Sequence, residues 1–206
     1  MFWIIRNQKC DIIEQAMKNQ ENHCCDKLNI PIDTYLQIGN GIGQSLLVVG
    51  ESPSLNGWMK SGRAFYTIEG KVVPTGVNFL VNLKQISPDL ELGNISFTEI
   101  SKCYIGINRN KLDNCAKKTW PNFIEQINYV NPNLIILLGK KTADIFNKLT
   151  TLDLKVGELT NIKIDDKVRN ILPIYHPSPL NPKRIQNVEF IDSNLTKIKQ
   201  LLNQTN

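Results

Sequence analysis

Leu134-Ile135-Ile136-Leu137-Leu138, entered through Asn131-Pro132-Asn133 and left through Gly139, is apolar at every position, with no polar residue on either side of the chain. An alternating strand exposes one face to water; five consecutive aliphatic residues read as a parallel strand covered on both faces. Ser45-Leu46-Leu47-Val48-Val49 has the same character, and Ile95 to Ile100 and Ile171 to Tyr175 read as two further strands. Helical patterns fall between and after them: Gly76 to Ile86, Lys111 to Val130 with Pro121 expected to divide it, Thr142 to Leu149, and Val188 to Leu202. Strand and helix in alternation predict an α/β fold, a three-layer α/β/α sandwich around a central, mainly parallel four-stranded sheet with right-handed crossovers.

In such a sheet the crevice for ligands lies beyond the carboxyl ends of the strands. Glu51, Glu99, Gly139 and His176 each fall at or just after one of the four strand ends, so four separated segments are expected to converge there. The segment after the last strand, Tyr175-His176-Pro177-Ser178-Pro179-Leu180-Asn181-Pro182-Lys183-Arg184, joins an imidazole, a stiff proline frame, an apolar tip and a basic end.

With 206 residues and no linker, repeat or low-complexity stretch, one domain is expected over residues 1–206, with residues 1–44 as an N-terminal helical segment packing on it. No stretch approaches the ~20 apolar residues of a membrane span, and no signal-peptide layout follows Met1, so a soluble intracellular protein is expected, with no membrane partner and as a monomer. The net charge of +5 is compatible with a polyanionic partner without establishing one. Five cysteines without a secretion signal argue for thiols or a metal site rather than disulfides.

The His176 loop resembles the His-Pro-Ser-Pro-Leu loop of the uracil-DNA glycosylase superfamily. Leu47-Val48-Val49-Gly50-Glu51-Ser52-Pro53, followed by Gly62-Arg63-Ala64-Phe65, is similar to the first motif of its iron-sulfur-containing bacterial and archaeal members, the family 4-like enzymes. Pro74-Thr75-Gly76-Val77-Asn78-Phe79-Leu80 and the strand ending at Gly139 recur in the family's order, and the resemblance spans roughly residues 45 to 200.

The resemblance implies hydrolysis of the N-glycosidic bond of uracil or another deaminated or modified base in double- or single-stranded DNA, by base flipping, as a step of base excision repair. Bond cleavage puts negative charge on the departing base and positive charge on the sugar. His176 would donate a hydrogen bond to the base O2, and Glu51 would position or activate water at C1′; main-chain N–H groups of the Glu51-Ser52 turn would add donors, with Gly50 and Ser52 among the substrate-binding residues. Phe65 would stack on the flipped base and Leu180 would fill the gap left in the helix, with Arg63, Ser178, Lys183 and Arg184 on the phosphates. No lysine in these motifs is placed as a Schiff-base nucleophile, so a monofunctional enzyme without strand cleavage is expected.

Two features depart from the family pattern. Family members read the uracil edge with an asparagine four residues before the cysteine of a Lys-Cys pair; aligned on Lys102-Cys103, this chain has Glu99, and a slip in that alignment brings Asn94 to the place instead. An ionised carboxylate only accepts hydrogen bonds and repels the uracil O4, whereas a protonated one still donates. The family's 4Fe–4S cluster would be held by Cys103 and Cys115 together with Cys10 and either Cys25 or Cys24, although the first pair lacks the usual Cys-x-x-Cys spacing; a metal-free protein with buried thiols is the alternative. Two other functions remain open on sequence: a relative that binds nucleic acid without excision, favoured by Glu99, and a small-molecule nucleotide hydrolase, which needs no Leu180 wedge.

Overall fold

The computed structural model describes residues 30–55, 57–106 and 109–204. Six strands, β1 (Leu36–Gln37), β2 (Leu46–Gly50), β3 (Ser96–Glu99), β4 (Leu134–Leu138), β5 (Thr160–Ile164) and β6 (Lys167–Ile174), form one sheet in the order β1-β3-β2-β4-β6-β5. Among the described residues five helices accompany them: α1 (Trp58–Ser61), α2 (Pro74–Ile86), α3 (Leu112–Val130), α4 (Lys140–Thr150) and α5 (Asn187–Leu202). Among the described residues no helix is long and apolar enough to cross a membrane.

The four expected strands are present and run parallel in the order β3-β2-β4-β6. Their side chains alternate between two cores, which is why β2 and β4 carry no polar face. Leu46, Val48, Ile136 and Leu172 meet Phe79, Leu83, Ile191 and Ile198 of α2 and α5 on one side. Leu47, Val49, Ile135 and Ile171 meet Ala116, Phe123, Ile127 and Phe146 of α3 and α4 on the other. Each fully buried aliphatic side chain stabilises the fold by about 1.5–3 kcal/mol relative to exposure.

The expectation of a four-stranded sheet is corrected: the sheet is mixed and six-stranded, because β1 and β5 add antiparallel edges. β1 has only two residues, too few to show a periodicity. β5, Thr-Asn-Ile-Lys-Ile, is half-buried and polar in alternation, as an edge strand is, and it folds back on β6 through Asp165-Asp166. Both aspartates have left-handed φ values, 48° and 64°, the backbone a two-residue hairpin turn requires.

A second correction concerns Pro121, which does not divide the helix; α3 runs unbroken from Leu112 to Val130. Proline deletes one N–H, and the carbonyl it would have reached belongs to Lys117; both residues are on the exposed face, so that the carbonyl is not left orphaned in the core. Cys115, Thr119, Phe123 and Ile127 keep the buried face continuous past the proline. Of the expected N-terminal helical segment, residues 1–29 lie outside the described residues, and the remainder contains β1 and a 3-10 turn at Gly41–Ser45.

Candidate active site at the carboxyl ends of the parallel strands

β6 delivers the histidine loop beside β4. Leu138 and Ile174 are in register, and the Gly139 N–H donates to Ile174 O at 2.8 Å. Gly139 is needed there: its φ is +101°, and a Cβ on it would lie 3.2 Å from the His176 Cβ. Buried Asn187, at the start of α5, grips Tyr175 as a neighbouring strand would, accepting from its N–H at 2.9 Å and donating to its carbonyl at 2.8 Å.

Asparagines hold the rest of the loop. Asn181 Nδ2 donates to His176 O at 3.0 Å, and Asn78 Nδ2, on α2, donates to Pro177 O at 2.8 Å. The Ser178 N–H donates to His176 Nδ1 at 3.2 Å. Since Nδ1 accepts, a neutral imidazole carries its proton on Nε2, which makes Nε2–H the donor.

Of the expected DNA-contacting residues, Leu180 stands at the loop tip with 93% of its surface exposed, and Lys183 is exposed with its ammonium 5.5 Å from the Tyr175 ring centre. Arg63 is exposed as well, its guanidinium 4.1 Å over the Tyr66 ring. Arg184 also braces the loop, its Nη1 donating to Pro179 O and Asn181 O, each at 3.2 Å. The Ser178 hydroxyl accepts from the Leu180 N–H at 3.3 Å, inside the same turn.

The second half of the edge is built on β2 and β3. Gly50 and Glu99 are in register, and the turn that follows stays tied to β3, with Ile100 N–H donating to Gly50 O at 2.9 Å and Ser101 N–H to Glu51 O at 3.1 Å. Glu51 and Ser52 are half-buried above buried Pro53. Phe65, half-buried with a left-handed φ of 65°, lies nearly parallel to Phe79 at 5.5 Å and edge-on to Phe97 at 4.8 Å. Gly76 leaves room for it, since a Cβ there would come within 2.8 Å of the Phe65 Cβ.

Glu99 is buried, with 7% of its surface exposed, and its carboxyl lies over Gly50, where a Cβ would come within 2.2 Å of Oε2. Burial pushes this carboxyl up to about 8; the Lys102 ammonium pulls the other way, and the Glu51 charge adds to the rise. Lys102 itself is fully buried, donating to Thr98 Oγ1 and Gln126 Oε1, both at 2.6 Å, and to the main-chain carbonyl of Glu99. Gln126 in turn donates to Ile32 O and Thr34 O, tying the chain before β1 to α3 and β3.

Asn94 does not compete for the place of Glu99. It precedes β3, at the opposite edge of the sheet, and its side chain is spent within a turn on Glu91 N–H and Asp89 O, each at 2.8 Å. With neighbouring strands about 4.8 Å apart, Glu99 and His176 stand roughly 14 Å apart along the edge, with Gly50-Glu51 and Gly139 between them. Sequence reasoning missed the supporting side chains, Asn78, Asn181, Asn187 and Gln126. Only Asn181, between Leu180 and Pro182, carried a turn signal.

Two candidate cluster ligands are described. Cys103 and Cys115 are both buried, and the Ser101 hydroxyl links them, donating to Cys115 Sγ at 3.0 Å and accepting from the Cys103 N–H at 3.4 Å. The other candidates, Cys10, Cys24 and Cys25, lie outside the described residues, and among the described residues no three His, Cys, Asp or Glu side chains are grouped to hold a metal.

A sequence model of the uracil DNA glycosylase superfamily matches residues 37–199, a span containing every strand end described above, and the chain belongs to that superfamily. It is also 26% identical, over 196 residues covering 93% of this chain and 92% of the relative, to a Type-4 uracil-DNA glycosylase of Archaeoglobus fulgidus.

Proposed function

We propose that this protein is a DNA glycosylase that hydrolyses the N-glycosidic bond of uracil or another deaminated base in DNA, as the name of its archaeal relative suggests. The observation that carries the reading is the orientation of His176: its Nδ1 accepts from Ser178 N–H, so Nε2–H is the donor, on the same sheet edge as Glu51. In the transition state Nε2–H donates to the base O2 as charge builds there, and Glu51 holds water at C1′ and stabilises the cationic sugar. Loss of one such donor typically costs a factor of ~100 to 1,000.

A base stacked in duplex DNA is out of reach of this edge, so the target nucleotide is flipped out. The half-exposed Phe65 ring, backed by Phe79 and Phe97, is the stacking platform; Leu180 enters the gap in the helix; Arg63, Ser178 and Lys183 meet phosphates, with Arg184 holding the loop in shape. The Lys102 ammonium is buried and engaged by oxygen acceptors, which supports hydrolysis without a Schiff base.

A 4Fe–4S cluster belongs to the same reading. Cys103 and Cys115 would supply two thiolates, and Cys10 with Cys24 or Cys25 the others; the buried, adjacent pair around Ser101 fits half of the ligand set. The cluster would supply a structural cross-link and no step of catalysis. Iron and sulfide analysis of protein purified without oxygen is expected to find about four of each per chain, and metal-free, fully active protein would rule it out.

Glu99 favours a second reading, a relative that binds DNA without excising uracil. Alkali cleavage of labelled single- and double-stranded oligonucleotides carrying uracil, hypoxanthine, xanthine or a mismatched thymine decides between the two. Strand breaks at uracil support excision; none at any base leaves the binding protein.

A further inference from the structure

The Glu99 carboxyl has a property that an asparagine in its place would lack. Oε2 is buried and has no hydrogen-bond partner among the described residues. It is set directly over Gly50, on the strand whose next residue is Glu51. Lys102 gives Oε2 no hydrogen bond: its ammonium donates to Thr98 Oγ1, Gln126 Oε1 and the main-chain oxygen of Glu99. A buried carboxylate with neither ion pair nor donor is costly, whereas the neutral acid is one donor and one acceptor on a planar group, the same pair of functions an amide presents.

We propose that Glu99 is the specificity-determining residue of the site, reading as a neutral acid the edge of a base that carries adjacent N–H and C=O groups, such as uracil or hypoxanthine. Its O–H donates to the base carbonyl and its C=O accepts from the base N–H. The proposal rests on the glycosylase reading for its substrate, and it makes base reading sensitive to pH. The titratable groups facing this position are Glu51, whose charge favours the neutral acid, and Lys102, whose charge opposes it. With the carboxyl titrating at about 8, the neutral form is complete at pH 6.5 and falls about tenfold by pH 9. Ionised, Glu99 is acceptor-only and repels the base carbonyl.

The test is binding of DNA carrying 2′-fluoro-2′-deoxyuridine, whose glycosidic bond resists cleavage, relative to the same strand with a tetrahydrofuran abasic analogue, which removes the shared phosphate contacts. The ratio is measured from pH 6.5 to 9 for the wild type, Glu99→Gln and Glu99→Asn, with melting curves confirming that each is folded. Because the uracil N3–H itself ionises in the alkaline range, the reading lies in the difference between proteins. The wild-type preference for the uracil analogue is expected to fall about tenfold more across this range than that of either amide variant. An equal fall in all three, or no preference in the wild type at pH 6.5, overturns the proposal. Binding and excision separate its failure from that of the glycosylase reading: pH-dependent preference without excision contradicts only the enzyme, and excision with equal pH profiles contradicts only Glu99.

Discussion

The two ends of the site are built on opposite terms. At the β6 end, the carbonyls of Tyr175, His176, Pro177 and Pro179 each accept a side-chain donor, and the His176 Nδ1 accepts from the Ser178 N–H. At the β3 end a carboxyl is buried with one oxygen unpartnered. The satisfied end fixes a single donor at a single place, as stabilisation of a developing charge requires. The unsatisfied end holds an unmet hydrogen bond; on the reading proposed above, an incoming base would complete it, and recognition would draw on a cost already present in the folded protein.

Each end also depends on one glycine, and substituting them separately should break the contrast most sharply. At Gly139 an alanine meets both a left-handed φ and the His176 Cβ, so Gly139→Ala is expected to lose about 1–3 kcal/mol in thermal or denaturant unfolding and to slow excision of every substrate alike. Gly50→Ala puts its methyl in the space of the Glu99 carboxyl, a side chain able to move. The expected outcome is a change in the ratio of uracil to hypoxanthine excision, with a smaller loss of stability. Equal effects on all bases from both variants would contradict the division between a catalytic and a reading end.

A smaller effect is expected at Leu180. With 93% of its surface exposed it supports no core, so Leu180→Ala should change unfolding free energy by less than about 0.5 kcal/mol. Excision from duplex DNA should fall while excision from single strands stays near wild type, because only the duplex leaves a gap to fill. Equal loss on both substrates would assign Leu180 a role other than the wedge.

The fold was legible in the sequence where strands are covered on both faces. Leu134 to Leu138 and Leu46 to Val49 have no polar residue, as strands of a sheet between two helical layers require. The edge strands were not legible, since Thr160–Ile164 is a hairpin arm that packs one face and Leu36–Gln37 is too short to have a pattern. Pro121 misled because the propensity of proline to end helices was weighed without knowing that Lys117 faces water. At the site, His176, Glu51 and Glu99 could be placed at the carboxyl ends of strands because each falls at or just after the end of a strand-like run. The residues that support them could not: Asn78 lies 99 positions from Pro177, and Gln126 joins segments more than 90 positions apart. Side-chain bonds of that span leave no local trace.

The central claim is that His176 and Glu51 serve one excision reaction. It is tested most directly by single-turnover cleavage of a uracil-containing oligonucleotide at pH 7 by wild type, His176→Ala, Glu51→Ala and the double variant. Each single substitution is expected to slow excision by ~100-fold or more, and the double variant to fall short of the product of the two losses, as residues acting in one transition state do. Full activity in His176→Ala, with the protein folded, would contradict the account.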